Sequence, residues 1–153
     1  MPHTQKTLDL MAAEIFELYR LIALARSRQP AGPDDLAETE FLTLDLLSRE
    51  QPLTIGNVQK QIGVVPAQMS RIVRALEEQG GKGYVQCQIN AQDRRRIDIS
   101  LTPAGKEAYE KYRTNRLSSM YAILEVLPPD DRLHFMRILE QIRSAFEDRI
   151  NQS

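Results

Sequence analysis

Apolar residues recur at spacings of three and four along most of the 153-residue chain, and at a spacing of two over one short stretch. From about Thr4 to Arg28, Leu8, Met11, Ile15, Leu18 and Ile22 form a heptad-like stripe, with Glu14, Glu17 and Arg20 between them, which predicts a long amphipathic helix. A stripe of that length exceeds what a small neighbouring core can cover, so a partner subunit is expected to bury it. Gln29 to Pro33 is rich in turn formers, and Asp34 and Asp35 place negative charge where the dipole of a following helix favours it. That helix is expected to run to about Arg49, with Phe41, Leu44 and Leu47 inward. Next, Thr54 can cap a short helix that Gly63 ends, and Pro66 opens another, reaching to near Gly80, whose Met69, Ile72, Val73 and Leu76 share one face. The two-residue period then appears in Tyr84–Ile89 and Arg96–Leu101, two strands joined by a turn over Asn90–Arg95, with Leu53 placed to add a short third strand. Thr102 and Pro103 start a long helix marked by Tyr109, Tyr112, Leu117, Met120, Tyr121, Leu124 and Leu127. Pro128 and Pro129 break it, and a last helix carries Leu133, Met136, Leu139, Ile142, Phe146 and Ile150.

The expected fold is thus mainly α (α+β): a winged helix-turn-helix over residues 35–102, bracketed by long helices in 1–30 and 103–153 that serve dimerisation, all in one unit of 1–153. The chemistry gathers in its middle. One side of the helix opened by Pro66 is pinned by apolar residues, and the other carries Gln68, Ser70, Arg71 and Arg74, groups that read base edges and hold phosphates in a major groove. The strand turn is tipped with Arg94, Arg95 and Arg96. A formal net charge of −1 hides a division: residues 54–102 hold seven Lys/Arg against four Asp/Glu, a net of +3, and the remainder thirteen against seventeen, or −4. A basic reader on an acidic body would orient itself on DNA.

Three segments, Gly63-Val-Val-Pro-Ala-Gln-Met-Ser-Arg-Ile-Val-Arg-Ala-Leu-Glu77, Asp93-Arg-Arg-Arg96 and Leu101-Thr-Pro-Ala-Gly-Lys-Glu107, occur in an order that resembles the MarR family of bacterial winged-helix transcriptional regulators. The likeness extends over nearly the whole chain, and the ordered set is far more specific than any one piece. Two features depart from the family pattern: Val65 stands where a capping residue such as Ser is usual, and Gly80-Gly-Lys-Gly83 is about two residues longer than the usual joint between helix and wing. The resemblance implies a homodimer that binds a pseudo-palindromic double-stranded operator, most often as a repressor released by a small aromatic or anionic effector. It also implies that Arg95 enters the minor groove with Asp93 orienting it. Tyr19, Phe41, Tyr109 and Tyr112 are candidates to line an effector pocket, although aromatic residues at helical spacing are more often core.

Other functions find little support. There is no Ser or Cys nucleophile with a partnered His, no glycine-rich phosphate loop and no isolated carboxylate pair, so no enzyme and no cofactor are expected. His3 and His134 have no metal-ligand spacing, and the single Cys87 excludes an intrachain disulfide and reads as a small packed residue rather than a redox sensor. No apolar run reaches membrane-spanning length and the first residues lack the apolar core of a signal peptide, which predicts a cytoplasmic protein with no membrane partner. The competing reading is a winged helix that docks an acidic protein, a role that requires neither an arginine-tipped wing nor a polar recognition face.

Overall fold

The structure, a computed structural model, describes residues 2–28, 32 and 35–152. The chain divides into two compact units, Met1–Asp35 and Leu36–Ser153. The first consists of one helix, α1 (Pro2–Ser27), on which Leu8, Met11, Ile15 and Leu18 of the apolar stripe are all exposed.

The second unit contains every buried apolar residue of the described chain. Its first helix, α2 (Glu38–Arg49), begins later than the paired aspartates suggest: Asp34 lies outside the described residues, and Asp35 precedes the helix. Two contacts fix the start, one long-range and one local. Leu36 turns into the core, and Glu40 reaches back to accept the Ala37 N–H at 3.0 Å, the carboxylate half of a capping box. Phe41 and Leu44 then follow at helical spacing, and the chain leaves α2 into β1 (Leu53–Thr54).

Thr54 caps α3 (Ile55–Ile62) by accepting the Asn57 N–H at 3.2 Å, and Gly63, at φ 71° and ψ 33°, closes it in the left-handed region. Pro66 occupies the first turn of α4 (Pro66–Glu78), where its missing N–H costs nothing. The strands are β2 (Val85–Ile89) and β3 (Ile97–Leu101), slightly shorter than the alternation suggests. They pair antiparallel in the register Cys87↔Ile99 and Ile89↔Ile97. The expected third strand is present: Leu53 pairs with Ile99, giving the sheet order β1-β3-β2.

Leu44, Leu47, Val58, Met69, Leu76 and Ile99 are the largest fully buried apolar side chains, so α2, α3, α4 and β3 share one core. Helix α5 (Pro103–Leu124) contributes only its first half, through Gly105, Ala108, Tyr109 and Tyr112, spaced three and four apart. Beyond them Leu117, Met120 and Tyr121 are exposed. So is every apolar residue of the last helix, α6 (Pro129–Asn151), that the sequence pattern marks. Arg132 ties the two helices where they meet, donating to the carbonyls of Leu127 (2.8 Å) and Glu125 (3.1 Å) that α5 leaves open.

Candidate nucleic-acid interface

Helix α4 is held by Met69, Ile72, Val73 and Leu76, all buried, which fixes which residues face outward. At 100° per residue, Arg71 and Arg74 lie opposite that buried face and Gln68 and Ser70 lie on its two flanks; all four are exposed. Arg71 and Arg74 make no ion pair or hydrogen bond among the described residues, so their donors are available to a ligand. Ser70 differs, because its hydroxyl donates back to the Pro66 carbonyl at 3.1 Å and can offer a partner only its lone pairs. Ala67, exposed in the first turn, points the same way and is a residue the polar pattern passes over; a small methyl there suits contact with a thymine methyl.

The departure at Val65 is absorbed by the backbone. Val65 is the N-cap without a side-chain hydrogen bond, and its carbonyl accepts the N–H groups of Gln68 and Met69, each at 3.0 Å. Helix α4 therefore starts at Pro66, as the sequence indicates.

The long joint is absorbed as well. Gln79–Gly81 form a tight turn with Gly80 in the left-handed region at φ 65°, after which Gly83 donates to Gln79 (3.0 Å) and Tyr84 to Leu76 (2.7 Å). Gly83, at φ 70°, passes so close to α4 that an added Cβ would stand 2.6 Å from the Glu77 carbonyl oxygen. The Thr102 hydroxyl caps α5 by accepting from Gly105 (3.0 Å), donates to the Gly83 carbonyl (2.7 Å), and the Thr102 N–H donates to Tyr84 (3.0 Å). The end of α4, the root of the wing and the start of α5 are thereby locked together.

At the wing tip the structure corrects one expectation. The resemblance implies that Asp93 orients the Arg95 side chain. Instead its carboxylate accepts the Arg95 backbone N–H (3.0 Å) and pairs with the Arg96 guanidinium (3.2 Å). The spacing of two favours the backbone contact, a short carboxylate folding onto the N–H two residues on. Arg94 and Arg95 are consequently the exposed tip cations with no partner among the described residues, and Arg96 is partly neutralised. The turn has a second organiser that sequence reading missed: Asn90, whose side-chain oxygen accepts from Gln92 and Asp93 and whose amide nitrogen reaches Asp98.

Cys87 lies at the middle of β2, half-buried. Burial first, then a hydrogen bond and the negative charge of Glu77, push its thiol up to about 11. It is a protonated, unreactive thiol at neutral pH.

Of the aromatic residues considered for a ligand, Tyr109 and Tyr112 are buried and Phe41 packs on both, with ring centroids 6.1 and 5.1 Å away. The Tyr109 hydroxyl donates to Asp45 at 2.6 Å, and Asp45 also receives Arg49. These three rings are the seam between α2 and α5; Tyr19 is exposed on α1, in the other unit. Beside the seam an open cleft of about 360 Å³ meets Tyr109, Arg49, Lys106 and Arg113.

A model of the MarR family matches residues 36–97, a stretch that runs from the start of the core through α4 to the wing turn. Over that stretch the chain is similar to the MarR family. The chain is similar to YwhA, an uncharacterized HTH-type transcriptional regulator of Bacillus subtilis (strain 168), with 24% identity over 110 residues, 72% of this chain and 77% of that protein. In fold it is similar to RV1404 from Mycobacterium tuberculosis, with a TM-score of 0.71, 20% identity, and 92% and 94% of the two chains covered. It is also similar to a point mutant of S. aureus MepR bound to an oligodeoxyribonucleotide, with a TM-score of 0.59, 20% identity, and 86% and 97% covered. MarR-family regulators are non-enzymatic transcription factors, and the fold here is theirs. Among the described residues no helix is long and apolar enough to cross a membrane.

Proposed function

We propose that this chain is a cytoplasmic, sequence-specific DNA-binding regulator that acts as a homodimer on a pseudo-palindromic operator, represses transcription, and is released by a small aromatic or anionic ligand. The observation that carries the reading is a pair of cationic features on one unit, without partners among the described residues: Arg71 and Arg74 on the outward face of α4, and Arg94 and Arg95 at the wing tip. An α-helix fits a major groove, and exposed arginine on a protruding hairpin fits the narrow, negative minor groove beside it. The MepR complex with an oligodeoxyribonucleotide supports the choice of partner.

The dimer is supported by what the single chain leaves uncovered. Leu8, Ile15 and Leu18 on α1 and Leu133, Met136 and Phe146 on α6 are more than half exposed, and apolar faces of that extent mark association surfaces. Release would be mechanical: a ligand that favours a spacing of the recognition helices other than roughly 34 Å removes one of them from its groove. The cleft beside Tyr109 is open where the aromatic seam is packed, and Lys106 and Arg113 give it cations for an anionic ligand, with Glu110 also in its lining and Arg49 already paired with Asp45.

The test is a gel-shift titration of a duplex recovered by selection from a random pool, repeated over salt. Neutralised phosphates give a steep linear fall of log affinity with log salt. Affinity that is sequence-independent or flat with salt would overturn the reading and favour a module that docks an acidic protein.

A further inference from the structure

The wing tip raises an electrostatic problem. A hairpin that meets phosphate gains nothing from a carboxylate near its tip, yet Asp98 stands in β3 opposite Gln88, half-buried, one pair below the turn. On charge alone it would weaken every contact with DNA.

Its hydrogen bonds supply another role. The Asn90 amide nitrogen donates to both oxygens of Asp98, at 2.9 and 3.0 Å. That fixes the plane of the amide and leaves its oxygen aimed into the turn, where it accepts the N–H groups of Gln92 (3.0 Å) and Asp93 (2.9 Å). One amide N–H is shared between the two carboxylate oxygens, and both lone pairs of the amide oxygen are engaged, so the Asn90 side chain is held from both ends. The turn it holds passes directly into Asp93, whose carboxylate accepts Arg95 N–H and pairs with Arg96. Asp98, Asn90 and Asp93 form one relay that ends at the arginine limb and leaves the side chains of Arg94 and Arg95 outside it.

We propose that Asn90 and Asp98 are positioning residues for DNA binding: Asp98 locks the Asn90 amide, the amide orders the turn, and Arg94 and Arg95 are presented without an ordering cost on binding. The proposal rests on the DNA-binding reading above and adds to it two residues that carry no favourable charge.

The sign of a charge effect separates this from the alternative. Affinities for the selected duplex are compared at one salt concentration for the parent, Asn90→Ala, Asp98→Ala, Asp98→Asn and the double variant Asn90→Ala/Asp98→Ala. Asp98→Ala should weaken binding about tenfold in the parent, the equivalent of about one net hydrogen bond. In the Asn90→Ala background, where there is no amide left to lock, the same change should tighten binding, because only the repulsive charge is then removed. Asp98→Asn keeps one acceptor oxygen for Asn90 and should bind better than Asp98→Ala. Amide exchange at Gln92 and Asp93 in the DNA-free protein should quicken in both alanine variants while the thermal midpoint moves little, since the turn lies outside the core. Tighter binding by Asp98→Ala in both backgrounds, or unchanged exchange, overturns the proposal. If the parent binds no duplex, the DNA-binding reading fails with it, and quicker exchange would then leave the relay a feature of the free hairpin alone.

Discussion

The side chains of Arg71 and Arg95 are both exposed and both without partners among the described residues, but one sits on a rigid helix and the other on a hairpin turn, and their losses should differ in kind. Arg95→Ala removes a phosphate- and groove-seeking charge, so affinity should fall across all sequences and the salt slope should flatten by about one unit. Arg71→Ala should instead relax preference at particular base pairs, by about 1–3 kcal/mol of discrimination for a bidentate contact, as selection from a random pool would reveal. Arg96→Ala should do less than Arg95→Ala, because Arg96 is already paired with Asp93. Equal small losses from Arg94, Arg95 and Arg96 would mean an interchangeable charge run. Cys87 gives a further prediction at this scale. Its thiol is displaced upward from an ordinary 9.0 to about 11 by burial and by Glu77, so the reactive thiolate is scarce until the pH approaches 11. Alkylation of the folded protein at pH 8 should be far slower than that of the urea-unfolded chain, and Cys87→Ser should bind and release DNA as the parent does. Peroxide-triggered release that disappears in Cys87→Ser would establish a thiol switch instead.

Elements here are fixed at their joints, and the joint between wing and α5 is the tightest. A Cβ on Gly105 would stand 1.9 Å from the Tyr84 carbonyl oxygen, a backbone atom that no rotamer change can move aside. Gly105→Ala should therefore cost about 1–3 kcal/mol in urea unfolding, the range of other overpacked sites. Gly56 provides the contrast: it is helical in α3 with nothing within 4 Å of a built Cβ, so Gly56→Ala should stabilise by up to about 1 kcal/mol. These opposite signs explain how much of the fold is legible in the sequence. Thr54, Gly63, Pro66, Thr102 and Pro103 are local signals whose action depends on residues within one turn of them, and each element they mark begins or ends where the sequence indicates. The start of α2 escapes such reading because it depends on Leu36 finding the core and on Glu40 reaching back, and the first of these is a long-range event. At the wing the residue types are readable and their pairing is not. Asp93 has Arg94, Arg95 and Arg96 within reach, and only the turn geometry selects the backbone of one and the guanidinium of another. Asn90 and Asp98 lie eight residues apart, brought together by strand register, with no periodicity to announce them.

For the whole molecule, the decisive quantity is the apolar surface that one chain cannot cover. Ile142 and Phe146 on α6 are 39% and 61% exposed, and on a monomer replacing them by Glu would be a surface change worth no more than about 0.5 kcal/mol. In a dimer the same carboxylates would be forced into an apolar seam without partners, at a cost of several kcal/mol for each chain. The two cases separate cleanly, because neither residue is part of the core that α2, α3, α4 and β3 share. The double variant Ile142→Glu/Phe146→Glu should keep its helical circular dichroism and a cooperative unfolding transition. In sedimentation it should run as a monomer at concentrations where the parent is a dimer. Its affinity for a full pseudo-palindromic duplex should drop to that for a half-site, and its salt slope to about half, since one recognition helix and one wing then neutralise half the phosphates. A variant that stays dimeric with full affinity would move the interface away from this face of α6. A parent that is itself monomeric while binding a palindrome with the full slope would require the two copies to meet only on DNA, and the apolar stripe of α1 would then need another occupant.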